Sequence, residues 1–220
     1  MSAGGERGAA GREAAGAAVS GAPQAGVAAR MLVAADLERI FRDCFFEAHA
    51  TVLEGGSPEP LYLPSPDPAR LPHRILYRED YFASALHEVA HWCLAGPERR
   101  QQEDYGYWYR PDGRSAEEQV EFERAEARPQ ALEWIFSEAC GFPFHLSADN
   151  LAGALGPSDR FEQAVRRAKE TYLAHGLPER AERFRAALAR AVARTSGEDG
   201  QAGETSALAP RPGLRRGSDG

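Results

Sequence analysis

The stretch YFASALHEVAHWCLAG, residues 81–96, constrains this chain more than any other. Two histidines, His87 and His91, stand four apart inside an apolar run that ends at Gly96 and Pro97. An α-helix makes a turn every 3.6 residues, so positions i and i+4 lie on one face, one turn apart. Val89, Ala90, Trp92, Cys93 and Leu94 make this helix too apolar to lie free on a surface. The reading is a packed helix, stopped by glycine and proline, that points two imidazoles at one place. That spacing lets two imidazoles grip one metal ion. Glu88, rotated by roughly 100° from His87, is the candidate catalytic residue, acting as a base toward a bound water.

The remaining periodicities place this helix in a mainly helical α+β domain with a small sheet. Leu37, Ile40, Phe41, Cys44 and Phe45 recur at helical spacing and predict an amphipathic helix over 34–48. GGSP then reads as a chain break. LYLP (61–64) and RILYR (74–78) read as short strands around a proline-rich loop. GYWYRPDGR (106–114) reads as a loop or short hairpin. SAEEQVEFERA reads as a polar helix start, and Pro129 as the opening of a further helix that Gly141 stops. Ser158 is the expected N-cap of a helix with a Phe161, Val165, Ala168, Tyr172 stripe, ending at Gly176. A last helix spans 179–194, with Phe184, Leu188, Ala191 and Val192 inward.

Outside residues 31–194 the composition changes. More than half of residues 1–30 are Ala or Gly, without periodicity, and the stretch from Thr195 to the end is of low complexity. Both are expected to be disordered, because neither buries enough apolar surface to offset its ordering entropy. Residues 31–194 carry the whole formal net charge of −7. An acidic domain does not suit a nucleic-acid backbone, and no stretch approaches 18 apolar residues, so no membrane span is expected. Cys44, Cys93 and Cys140 have no metal-like spacing and fit small buried side chains in a reduced cytoplasm.

A catalytic metal needs a further protein ligand beyond the two histidines and an open position. Glu126, just ahead of the helix assigned to Pro129, is one candidate, and its alternative role is to complement the positive end of that helix. Spacing alone rates Glu123 nearly equal to it. Two chemistries share the geometry. With zinc, and Glu88 as base, it is a metallopeptidase. With iron(II), two histidines and a carboxylate leave positions for dioxygen and substrate.

The order of four words, YFASALHEVAHWCLAG, DYGYWYRPDGR, FERAEARPQALEW and GFPFHLSADNL, closely resembles the elongation factor P hydroxylase family over about residues 36–190. The resemblance implies a non-haem iron oxygenase, with molecular oxygen as co-substrate, that hydroxylates the β-lysylated lysine of elongation factor P. It implies a zincin-like metal-binding helix, with His87 and His91 as ligands and a carboxylate in FERAEARPQ, placed at Glu126 with Glu123 as the alternative. Glu88 would then orient a ligand or a water. The modified lysine is a long dication, so acidic and aromatic groups are expected along its path. Tyr107, Trp108, Asp112 and Asp149 are the candidates for substrate binding. The acidic run Glu117, Glu118, Glu121 and Glu123 is expected near the entrance, steering a basic partner.

Overall fold

The computed structural model describes residues 30–104, 114–147 and 157–197. Within them the chain forms α1 (Ala34–His49), β1 (Thr51–Ser57), β2 (Leu61–Leu63), β3 (His73–Arg78), α2 (Phe82–Leu94), α3 (Ala116–Cys140), α4 (Asp159–His175) and α5 (Glu179–Gly197). The architecture is α+β and mainly helical, with one three-stranded sheet in the order β1-β3-β2. None of these helices is long and apolar enough to cross a membrane.

Strand β3 is central, parallel to β1 and antiparallel to β2. Its alternation puts Ile75 and Tyr77 on the core side, as a period of two requires. Strand β1 departs from the sequence reading: GGSP does not break the chain, since Thr51–Ser57 is one strand that pairs with β3 on both sides of the two glycines. The register shifts between Glu54 and Ser57, so the glycines mark an irregularity within a strand. Gly55 is there because of close approach. A Cβ at that position would lie 2.7 Å from the Tyr77 ring and from the Glu79 carbonyl oxygen. Glu38 of α1 ties the corner together, accepting from the Tyr77 hydroxyl (2.8 Å) and the Gly55 amide (3.0 Å).

The helical predictions place the core well. Leu37, Ile40, Phe41, Cys44 and Phe45 of α1 are all buried, as are Phe184 and Leu188 of α5. Aromatic rings meet where α1, α2, α3 and α5 converge: Trp92 lies 5.1 Å from Phe41 and 4.8 Å from Phe45, and Phe136 lies 5.2 Å edge-on to Phe184. The three cysteines are buried and free.

One boundary differs in kind. Pro129 does not open a helix; it lies inside the 25-residue α3. A proline there removes a backbone donor and crowds the preceding turn, at about 3 kcal/mol in an exposed helix. The N-terminal half is secured by a capping box, in which Ser115 and Glu118 bond each other's backbone amides. Both halves are also held by packing, because α3 lies against α2, α4 and α5. Tertiary packing outweighs the local preference, and Gly141, in the left-handed conformation at φ 69°, ends the helix as expected.

Candidate metal centre

Helix α2 turns one face to the aromatic core and another to α3. Its C-terminal carbonyls are capped from α5, where Arg180 Nη2 donates to the carbonyl oxygens of Trp92 (3.2 Å), Cys93 (3.1 Å) and Ala95 (2.6 Å). A guanidinium there satisfies acceptors that no intrahelical donor can reach and complements the negative end of the helix. The turn carrying His91 is thereby fixed at its end.

Opposite the two histidines, α3 presents a polar stripe inside the protein. Glu123, Glu126, Gln130, Glu133 and Ser137 are all buried, at alternating spacings of three and four, so they follow one face of the helix. Glu126 reaches both imidazoles: Oε2 is 3.4 Å from His87 Nε2, and Oε1 is 3.4 Å from His91 Nε2. The two Nε2 atoms are 3.0 Å apart. One donor atom from each of His87, His91 and Glu126 lies within 4.8 Å of the others. Two imidazole nitrogens and a carboxylate oxygen converging on one point are a donor set for a divalent first-row ion. The surroundings favour positive charge as well. Burial opposes a charged His87, yet the carboxylates of Glu133, Glu126 and Glu88 outweigh it and raise the imidazole to about 10.

The two glutamates that spacing could not separate have different surroundings. Glu123 accepts from the Ser158 hydroxyl at 2.7 Å and from Gln119 Nε2 at 3.4 Å, and Ser158 in turn caps α4 through the Phe161 amide. Glu123 therefore anchors the start of α4 and does not belong to an exposed acidic run. Glu117, Glu118 and Glu121 are exposed. Because α3 is continuous through Pro129, Glu126 sits mid-helix, and the role of complementing a helix N-terminus does not arise.

Glu88 points elsewhere. It is buried but lies outside the three-donor group, lining a cleft with His91, Tyr62, Ile75, Trp92, Arg99, Arg100 and Asp104. Burial raises its carboxyl above the usual range, with Glu126 and Asp104 adding to the shift and the two histidines opposing it. The outer wall of the cleft is pinned to β2: Tyr62 and Asp104 exchange backbone hydrogen bonds of 2.7 and 3.1 Å, and the Tyr62 hydroxyl donates to the Arg100 carbonyl oxygen at 3.0 Å. Tyr107, Trp108, Asp112 and Asp149 lie outside the described residues.

Sequence reasoning missed two residues of the centre, Gln130 and Glu133. Gln130 Nε2 donates to the Ser147 carbonyl oxygen (2.7 Å) and to Glu126 Oε2 (3.4 Å), while its Oε1 accepts from the Ser147 amide (3.1 Å). It holds the segment after α3 against the carboxylate that faces the histidines. Glu133 Oε2 lies 2.8 Å from His87 Nδ1. The available signal was the three-four repeat of polar residues, hidden when the segment was divided at Pro129.

Comparison with known proteins decides the family. A model of the family described as Elongation factor P hydroxylase matches residues 40–200. The chain belongs to the elongation factor P hydroxylase family. A curated relative from Haemophilus influenzae, named Elongation factor P lysine hydroxylase, is 50% identical over 154 residues, covering 70% of this chain and 85% of the relative. The family match spans α2, α3 and the whole three-donor group. Both descriptions are of hydroxylases and neither is of a peptidase, so the zinc peptidase alternative finds no support in them.

Proposed function

We propose that this chain hydroxylates the β-lysylated lysine of elongation factor P, using an iron(II) ion held by His87, His91 and Glu126 and molecular oxygen as co-substrate. The observation that carries the reading is the convergence of those three side chains, within 4.8 Å, in a chain 50% identical to a named elongation factor P lysine hydroxylase. Breaking an unactivated C–H bond lies beyond ordinary side chains, and a redox-active ion bound here supplies that chemistry. The protein supplies the rest. His87 and His91 are held one turn apart by α2, and Glu126 is held against them by α3. Glu88 is read as lining the approach to the ion, where its raised carboxyl orients a water or the substrate amine. The description of α2 as a zincin-like helix rests on the family resemblance.

Residues 31–194 are read as the catalytic unit, acting in the cytoplasm on a translation factor and without direct nucleic-acid contact. The cleft beside His91 gives the cationic side chain aromatic walls, Tyr62 and Trp92, and the Glu88 carboxylate, while Asp104 is paired with Arg99 and Arg100 lies on the same rim. Tyr107, Trp108, Asp112 and Asp149 remain proposed contributors to substrate binding. Exposed Glu117, Glu118 and Glu121 are proposed to steer the factor, since exposed charges act over roughly 8–10 Å at physiological salt. Their joint replacement by Gln is expected to slow association and flatten its salt dependence; an unchanged rate assigns them to solubility alone.

The test of function is direct. Iron-loaded protein, incubated in air with β-lysylated elongation factor P and a supplied two-electron reductant, is expected to increase the intact mass of the factor by one oxygen atom, the second atom of dioxygen leaving as water. His87→Ala, His91→Ala and Glu126→Ala proteins are expected to leave it unchanged. Cleavage fragments without added oxygen would reverse the assignment in favour of a peptidase.

A further inference from the structure

We propose that Glu133 is a positioning residue: it fixes the ring orientation and tautomer of His87, so that Nε2 of that histidine faces the ion. The inference rests on the reading of His87, His91 and Glu126 as a metal centre and extends it to a carboxylate on the far side of the ring.

The geometry divides the two nitrogens of His87 between two carboxylates. Nε2 faces Glu126 at 3.4 Å, and Nδ1 faces Glu133 at 2.8 Å. Glu126 and Glu133 are seven residues apart on α3, two turns along one face, so His87 enters the stripe between them. A ligating imidazole carries one proton, and an ionised carboxylate only accepts hydrogen bonds, so that proton sits on Nδ1 and the lone pair is left on Nε2. That lone pair points at the place where His91 Nε2 and a Glu126 oxygen also converge. Glu133 is not itself one of the three converging donors, because it touches the nitrogen directed away from them.

A second observation argues against a purely structural ion pair. Glu133 is only 7% exposed, and a buried carboxylate is costly to keep when a similar apolar side chain would pack as well. The adjacent stripe position has comparable work: Gln130 holds Glu126 and the Ser147 backbone. Each buried polar residue from 126 to 133 either belongs to the donor group or hydrogen-bonds to a member of it. A carboxylate behind a metal-binding histidine also raises the basicity of the ligand and removes its freedom to rotate.

The test uses the full chain and cobalt(II) alone, measured by competition with a chromophoric chelator and by its visible absorption bands. Glu133→Ala is expected to weaken cobalt binding about 10–100-fold and to alter the absorption bands. Glu133→Gln keeps an oxygen that accepts from Nδ1–H, so it is expected to restore most of the affinity and the wild-type bands. A structural role alone predicts a lower unfolding midpoint in Glu133→Ala with unchanged cobalt affinity and bands, and that result overturns the proposal. Should Glu133→Ala fail to fold, Glu133→Leu replaces it, with the same loss expected and wild-type affinity and bands again overturning the proposal. His87→Ala separates the two levels of inference. If it binds cobalt as well as wild type, the metal centre itself is wrong. If it loses cobalt while both Glu133 variants behave as wild type, only the role of Glu133 is wrong.

Discussion

Helix α2 has two neighbours of opposite character. Toward α1 and α5 its Trp92 enters a cluster of Phe41, Phe45 and Phe184, where shape and apolar area do the holding. Toward α3 it meets Glu126 and Glu133, with Gln130 behind Glu126, and there atoms are held by hydrogen bonds and charge. The apolar seam stabilises the fold and tolerates changes that conserve volume. The polar seam buries carboxylates that a stability-driven core would not keep, and its arrangement makes sense as a cradle for a cation. One helix thus separates the work of holding the fold from the work of the site.

The most severe break in this contrast comes at His91. His91→Ala is expected to abolish stable metal binding and reduce hydroxylation of the factor to background, while the far-ultraviolet circular dichroism of the protein stays that of wild type. Metal at about a hundred times its Kd should also raise the wild-type unfolding free energy by about 2.7 kcal/mol, and leave that of His91→Ala unmoved. A metal-dependent rise in both proteins would mean that the polar seam is not where the ion binds.

The opposite seam should respond in the opposite way. Phe184 is fully buried against three aromatic rings, Phe41, Phe45 and Phe136, and Phe184→Ala is expected to cost about 3–5 kcal/mol of unfolding free energy. The cobalt absorption bands of the protein that remains folded should match wild type. A changed spectrum would show that the two seams are coupled through α2.

Alkaline pH offers a milder test of the apolar seam. Burial pushes the Cys140 thiol up to about 11, and it pushes Cys44, Cys93 and Tyr77 upward too. A group raised in the folded state contributes stability that is complete below its unfolded value and is lost as pH rises through its folded value. Denaturant stability is therefore expected to fall as pH rises from about 9 toward 11, and Cys140→Ala should remove part of that slope. An unaltered slope in the variant would place the alkaline loss elsewhere.

The smallest effect belongs to the cap that starts α3. Ser115→Ala removes the acceptor of the Glu118 amide and is expected to cost about 1 kcal/mol by denaturant titration, with metal affinity unchanged. A drop in metal affinity would show that fraying at the start of α3 reaches Glu126.

Much of this protein could be read in one dimension. Helical spacing identified the inward faces of α1, α4 and α5, because a period of 3.6 sorts side chains before any partner is known. The histidine pair was legible for the same reason: both members lie on one helix, and their proximity is local geometry. The strand at Thr51–Ser57 was not, since Gly55 makes sense only against the Tyr77 ring of another strand. Nor was α3, where the local cost of Pro129 is visible in the sequence and the packing against α2, α4 and α5 that offsets it is not. The same limit applied to the choice between Glu123 and Glu126, which lie three residues apart on one helix face. The sequence by itself determined that two imidazoles would sit together on a buried helix, and its ordered motifs marked the family. Only the tertiary structure decided which carboxylates meet them. Contacts between helices distant in sequence depend on how the cores pack, and no periodicity within either helix encodes that.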